Sequence, residues 1–198
     1  TSQVPLYFQP TGGQVQFDPK ESSVKDQARI VIIGAGIVGC ATAYYLTRMG
    51  WRDIVVVEQG PLFKAGGSTS HAPGLLFQVN GSKMMGTFAM QTEEMYSSLE
   101  LDGEPCWLPV GGMEVAWTRD RLEDLKRKVG FAQSWGIETR VIDPDEAREK
   151  LPLLSDRIYG AMYTPGEGIA KAVRAGEAMA RESKDGAEFY GDTAVTDI

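Results

Sequence analysis

The chain has 198 residues, of which 42% are apolar and 24% charged, with 23 glycines. That composition excludes a disordered chain, a collagen-like fibre and a long coiled coil, and a chain of this length buries enough apolar surface to fold without disulfide staples. Twenty basic against 27 acidic side chains leave a net charge of −7, which argues against a surface that tracks nucleic-acid phosphates.

Residues 1–27 read as an N-terminal tail. They lack the basic and apolar regions of a signal peptide and carry no arginine of the transit-peptide kind. Residues 28–198 then read as one domain. The segment Ala28–Gly36 carries the β-branched run Ile30, Val31, Ile32 and Ile33, the pattern of a parallel strand buried on both faces. A glycine turn leads into a helix from Ile37 to Met49, closed by Gly50. Asp53–Glu58 is a second buried strand, so the first 30 residues of the domain form a βαβ unit.

Gln59–Gly81 is rich in glycine and proline and reads as one long loop, a length that tends to carry function. Ser82 caps a predicted helix reaching Glu100, with Met84, Met85, Phe88, Met95 and Leu99 on its apolar side. Gly111 and Gly112 punctuate two short strands of a hairpin between Cys106 and Trp117. Thr118 caps a helix over Arg119–Trp135, and Asp143 and Pro144 open a shorter one that ends before Pro152. A strand over Ile158–Tyr163, a helix over Ile169–Ser183, and short strands at Phe189–Tyr190 and Ala194–Ile198 complete the prediction. A strand at the very end would present an unpaired edge, which points to the remainder of a longer polypeptide or a partner subunit.

No run of 18 apolar residues is present, so no membrane-spanning helix is expected. The two cysteines, Cys40 and Cys106, fit neither a disulfide framework nor a CxxC metal pair, and the single histidine, His71, cannot build a histidine metal cluster. A reducing compartment follows: cytoplasm, or the mitochondrial matrix in a eukaryote.

The chemistry begins at "GAGIVG". Gly34, Gly36 and Gly39 have GxGxxG spacing, follow a strand, open a helix at Ile37, and are answered by Glu58 and Gln59 at the end of the second strand. That is the dinucleotide fingerprint. Gly34 makes the tight turn, Gly36 admits a pyrophosphate, and Gly39 lets the helix pack closely on the strand. The helix N-terminus favours anions, and Glu58 can accept hydrogen bonds from a ribose while repelling a 2′-phosphate. Spacing leaves NAD and FAD both open. His71 lies in "GGSTSHAPG", where Ser68, Thr69 and Ser70 can donate to phosphate or to ring carbonyls. Read from its residues, the loop could hold a planar cofactor or merely expose a histidine.

The unit from Arg29 through Glu58, followed by "GPLFKAGGSTSHAPGLLFQ", resembles the N-terminal flavin region of the D-amino-acid-oxidase-like superfamily. It is most similar there to dimethylglycine oxidase and the dimethylglycine and sarcosine dehydrogenases. "VGGMEVAWTRDRLEDLKRK", "SWGIE", "YTPGEGIA" and "TAVTDI" continue the likeness to Ile198. The resemblance implies a Rossmann-like FAD-binding α/β fold, cut before its sheet and substrate domain are complete. It implies that Gly34, Gly36 and Gly39 hold the FAD pyrophosphate, that Ser68 and Thr69 line the flavin, and that the Val195 backbone meets the adenine. His71 would match the histidine bonded covalently to the flavin 8α carbon. The implied reaction is oxidative demethylation of a small N-methyl amine such as dimethylglycine or sarcosine, giving formaldehyde or methylenetetrahydrofolate, with tetrahydrofolate bound by a region outside this sequence. No catalytic acid or base is assigned, and Tyr96, Tyr159, Tyr163, Glu114 and Arg119 read as packing or surface residues. Two alternatives stand beside this: a nicotinamide-dependent dehydrogenase, and a dinucleotide-binding module without catalysis.

Overall fold

A computed structural model describes residues 4–5, 24–64 and 66–197. Most of the predicted tail, and Ile198 in the predicted terminal strand, lie outside the described residues. The elements run β1 (Val4–Pro5), β2 (Gln27–Ala28), β3 (Ile30–Ile33), α1 (Ile37–Arg48), β4 (Ile54–Val57), α2 (Ser68–His71) and β5 (Leu75–Leu76). α3 (Lys83–Ser97), β6 (Glu100–Leu101), β7 (Glu104–Pro105), β8 (Trp107–Leu108), β9 (Gly112–Ala116) and α4 (Arg119–Ser134) follow. The remainder holds β10 (Arg140–Ile142), α5 (Pro144–Lys150), β11 (Gly160–Thr164), β12 (Gly168–Ala170), α6 (Ala172–Glu182) and β13 (Ala187–Tyr190).

The chain divides into two compact units. The first gathers the chain up to Pro73, Leu99–Cys106, and the chain from Lys171 onward. Its sheet has the order β13-β4-β3 with both pairings parallel, Ile30 opposite Ile54 and Ala187 opposite Ile54. Parallel neighbours need a crossover, and α1 supplies the one between β3 and β4. Central β4 is wholly buried, each of its four aliphatic side chains contributing roughly 1.5–3 kcal/mol by leaving water. α1 packs against α6 through small residues: a Cβ added at Gly176 would rest 3.8 Å from Cys40 Sγ, an ordinary contact. β3 departs from the prediction. It is an edge strand of the described sheet, and Ile33 is 58% exposed, so the β-branched run is half-buried rather than buried on both faces.

The second unit holds Gly74–Ser98 and Trp107–Ala170. One antiparallel sheet has the order β10-β11-β9 and another β5-β12-β8. Its helices start where the capping residues predict. Ser82 accepts from Met85 N–H, Thr118 from Arg121 N–H, and Asp143 from both Asp145 and Glu146, each satisfying backbone donors that a helix start leaves orphaned. The α4 stripe packs as predicted, with Leu125 and Ala132 buried and Leu122 and Val129 half-buried against Met162.

Other expectations are corrected. The 59–81 segment is not one loop, because α2 and β5 interrupt it. α3 ends at Ser97 and buries its small residues, Gly86 and Ala89, while Met84 and Phe88 are 62% and 53% exposed; Gly86 faces Ile137 at a spacing where a Cβ would sit 3.0 Å away, so close approach outranks side-chain hydrophobicity. β8 and β9 do not form a hairpin, since β8 pairs with β12 and β9 with β11. The Ile158–Tyr163 strand runs from Gly160 to Thr164, and the Ile169–Ser183 helix begins only at Ala172 because 168–170 are used as β12. The terminal strand is not formed over its described residues: Val195 makes an isolated bridge and packs onto Ala28, Val55, Val57 and Tyr190.

Candidate dinucleotide site

β3 delivers the chain into the glycine turn, whose first step is fixed by sterics. Gly34 N–H donates to Val57 O at 2.7 Å with φ at +102°, a conformation L side chains rarely adopt. Gly39 is required for a different reason. A Cβ there would stand 1.9 Å from Gly34 O, so the first turn of α1 lies directly on the turn that precedes it. Apart from its immediate chain neighbours, no described heavy atom lies within 4 Å of where a Gly34 Cβ would be, which leaves open space on that side of the turn.

Glu58 braces this turn. Its Oε2 accepts from Ala35 N–H at 3.0 Å and its Oε1 from Gly60 N–H at 3.2 Å. Its backbone is held on both sides, N–H to Tyr190 O at 2.9 Å and O from Thr193 N–H at 2.8 Å. A carboxylate has about four lone-pair sites, so two backbone bonds leave capacity for a ligand hydroxyl. Gln59 beside it is exposed.

Cys40 sits one residue past Gly39, fully buried, its thiol donating to Ala35 O at 3.3 Å. Burial first, and the nearby Glu58 charge second, push that thiol up to about 12. It stays protonated at neutral pH and is a packing group, as the sequence reading holds. Burial likewise pushes the Cys106 thiol up, against the pull of Arg174 and Lys171.

The second cluster is α2. Thr69 Oγ1 accepts the N–H of Ile37, the first residue of α1, at 2.9 Å. Ser70 Oγ donates to Gly67 O at 2.8 Å and accepts from Gly66 N–H at 3.0 Å. His71 is exposed, with Nδ1 2.8 Å from that same Gly67 carbonyl. A carbonyl oxygen only accepts, so Nδ1 carries the proton and a neutral ring keeps its lone pair on Nε2. Ser68 is exposed at the start of α2. The turn of Gly34–Gly39, Glu58, Thr69 and the Val195 cluster all belong to the first unit.

The remaining candidates pack. Tyr96 lies 6.5 Å from Trp107 and Tyr163 receives Lys150 at 4.2 Å from its ring centre. Glu114 pairs with Arg121 and Lys128, while Lys126 and Arg127 pair with Glu123 and Asp124, so α4 carries a salt-bridged face. Arg119 lies over Tyr159. Sequence reasoning missed two groups. The Gly67 carbonyl orients His71, and Glu167 is buried where its Oε1 accepts from Gln78 and Val79 N–H. Burial raises the Glu167 carboxyl, partly offset by those two N–H groups. A glutamate between glycines reads as solvent-facing; the one hint was Gly112, whose Cβ would strike Glu167 Oε2 at 1.9 Å. Among the described residues no group of three or more potential metal ligands occurs, and no helix is long and apolar enough to cross a membrane.

Residues 29–198 match the model of a family described as "DAO: FAD dependent oxidoreductase". The chain belongs to this family. It is 35% identical over 176 residues to mouse pyruvate dehydrogenase phosphatase regulatory subunit, covering 87% of this chain and 20% of that one. It is 32% identical over 177 residues to human sarcosine dehydrogenase, covering 86% and 19%. A solved glycine oxidase from Geobacillus kaustophilus superposes with a TM-score of 0.70 at 26% identity, covering 86% of this chain and 48% of that one. The chain thus spans about a fifth of the length of these curated relatives. Its fold is the α/β Rossmann-like FAD-binding fold, and the residues present fit that cofactor: the open space over Gly34 can take phosphates, α1 begins beside it, and Glu58 retains acceptor capacity.

Proposed function

We propose that this chain binds FAD and forms part of an enzyme oxidising the CH–NH bond of a small amine or amino acid. The observation that carries the reading is the conjunction of a sterically obligatory glycine turn, a braced Glu58, and an α2 turn fastened directly to α1. Gly34 and Gly36 would hold the pyrophosphate at the N-terminus of α1, where Ile37 and Gly39 start the helix and its dipole favours negative charge. Glu58 and Gln59 would receive the ribose side and Val195 the adenine. Ser68, Thr69 and His71 would meet the flavin end.

Bound FAD supplies a two-electron acceptor for the amine. The chain's own residues bind and orient it. The Gly67 carbonyl keeps the His71 proton on Nδ1, so Nε2 is the nucleophilic nitrogen and the one that would join the 8α carbon. Cys40 cannot compete, being buried and protonated. Within the amine class, the likeness to sarcosine dehydrogenase and the "GGSTSHAPG" segment favour an N-methyl amino acid such as sarcosine or dimethylglycine, with formaldehyde or methylenetetrahydrofolate as the one-carbon product. Mixing the purified flavoprotein anaerobically with sarcosine, dimethylglycine, glycine and proline tests this. Bleaching of the flavin band with formaldehyde release from the N-methyl compounds is expected. Bleaching by glycine or proline alone would move the substrate outside the N-methyl class.

A second reading has its own support, because the relative at 35% identity is named as a regulatory subunit. Here the chain binds FAD as a structural or sensing group. FAD retained through purification with no bleaching by any amine would establish it. A protein that binds NADH and no flavin would return the nicotinamide alternative.

A further inference from the structure

We propose that Thr69 is a positioning residue that fastens the His71 turn to the phosphate turn, setting where the imidazole stands relative to the bound cofactor. The inference deepens the FAD reading above and rests on it for the direction in which the cofactor lies.

α1 has no cap of its own. Its N-cap position is Gly36, which has no side chain, and its first turn carries no acidic residue. Capping side chains ordinarily come from the N-cap residue itself. Here the acceptor arrives from 32 residues downstream, as Thr69 Oγ1 takes the Ile37 N–H at 2.9 Å. Gly36 makes room for it: a Cβ at that position would lie 3.1 Å from Thr69 Oγ1, tighter than ordinary van der Waals contact. The second glycine of the fingerprint therefore serves the protein's own threonine as well as any phosphate. A hydroxyl that accepts one bond keeps its hydrogen to donate, so Thr69 replaces the donor it removes from the helix start with another.

His71 lies two residues beyond Thr69 in the same four-residue helix. That helix is otherwise held by bonds internal to residues 66–71: Gly66 to Ser70, and Ser70 and His71 to the Gly67 carbonyl. Those bonds shape the turn; it is placed by its packing against α6 and by the Thr69–Ile37 bond. The Thr69–Ile37 bond joins it to the element on which the phosphates would rest. Attachment at His71 would form an Nε2–carbon bond in place of a methyl C–H bond; the methyl proton and the Nδ1 proton would leave, the C–H electron pair would reduce the ring, and dioxygen would take up those two electrons with two protons as hydrogen peroxide. Such a step depends on a near-attack distance, and small displacements slow it sharply.

The test compares wild type, Thr69→Val, Thr69→Ser and Ile37→Pro. Valine keeps the shape and removes the acceptor. Proline at the first helical position is conformationally tolerated and removes the donor. Two readouts are used: the rate at which acid-stable flavin accumulates at saturating FAD, and hydrogen exchange of the Ile37 amide in the FAD-free protein. We expect Thr69→Val to slow attachment about tenfold and to speed Ile37 exchange about fivefold, as loss of one hydrogen bond of ordinary net strength implies. Thr69→Ser should restore both, and Ile37→Pro should slow attachment as Thr69→Val does, which covers a valine variant that folds poorly. Wild-type attachment in Thr69→Val, or a serine variant as slow as valine, overturns the proposal. If wild type itself holds no acid-stable flavin, the His71 reading has failed, and unchanged Ile37 exchange in Thr69→Val would then overturn the latch separately.

Discussion

The glycine turn and the His71 turn belong to the same unit and are built by opposite means. The first is held by exclusion: Gly39 has no space for a single added carbon, and Gly34 has a backbone angle that side chains avoid. The second is exposed and held by a few hydrogen bonds converging on the Gly67 carbonyl. The end proposed to recognise a pyrophosphate is rigid by sterics, whereas the end that would carry a reactive imidazole keeps that imidazole accessible. Rigidity and reactivity are thus separated along one proposed ligand.

The sharpest way to break this contrast is a matched pair of alanines. Gly39→Ala must move backbone, and should cost about 3 kcal/mol or more in denaturant melts and abolish FAD binding. Gly67→Ala, in an extended conformation with no neighbour within 4 Å, should stay within about 0.5 kcal/mol of wild type. Equal effects would erase the distinction. Next in size, Glu58→Gln removes one acceptor from a braced pair of N–H groups, with an expected loss of about 1–3 kcal/mol in thermal or chemical stability and weaker FAD binding by titration.

Cys40 and His71 give a comparison by reactivity. Diethyl pyrocarbonate should modify His71 in the native protein, while thiol reagents should reach Cys40 only after unfolding. The pH dependence has a definite sign. The native Cys40 thiol titrates near 12 against an ordinary 9.0, so between those values the folded chain holds a proton the unfolded chain has lost. Stability from this group is complete below pH 9 and declines as pH rises toward 12. Cys40→Ala should flatten that part of the curve, read from melts at stepped pH. The smallest expected effect is His71→Ala on stability, within about 0.5 kcal/mol, because the side chain is exposed.

The same contrast explains what could be read from the residues. The Gly34–Gly39 turn, α1 and β4 were legible because each demands a residue type: glycine for space, β-branched residues for a buried strand; the bracing of Glu58 by the Ala35 and Gly60 N–H groups was not, because those donors meet it only in three dimensions. The α2 turn was not, since Ser, Thr and His satisfy both a loop and a single helical turn, and only three-dimensional pairing shows Thr69 on Ile37. α3 was misread because its buried face is made of Gly86 and Ala89, which carry no hydrophobic signal. β12 was absorbed into a helix because Gly168–Ala170 takes its partners from β5 and β8, remote in sequence.

The central claim is that FAD lies from the Gly34 turn to His71. It is tested most directly by adding FAD to the purified protein, precipitating with acid, digesting the pellet and locating flavin by peptide mass and fluorescence. The account predicts flavin on the peptide containing His71, joined through Nε2, and its loss in His71→Ala with reversible FAD binding retained. Covalent flavin persisting in His71→Ala, or a protein that takes up no FAD, would contradict it.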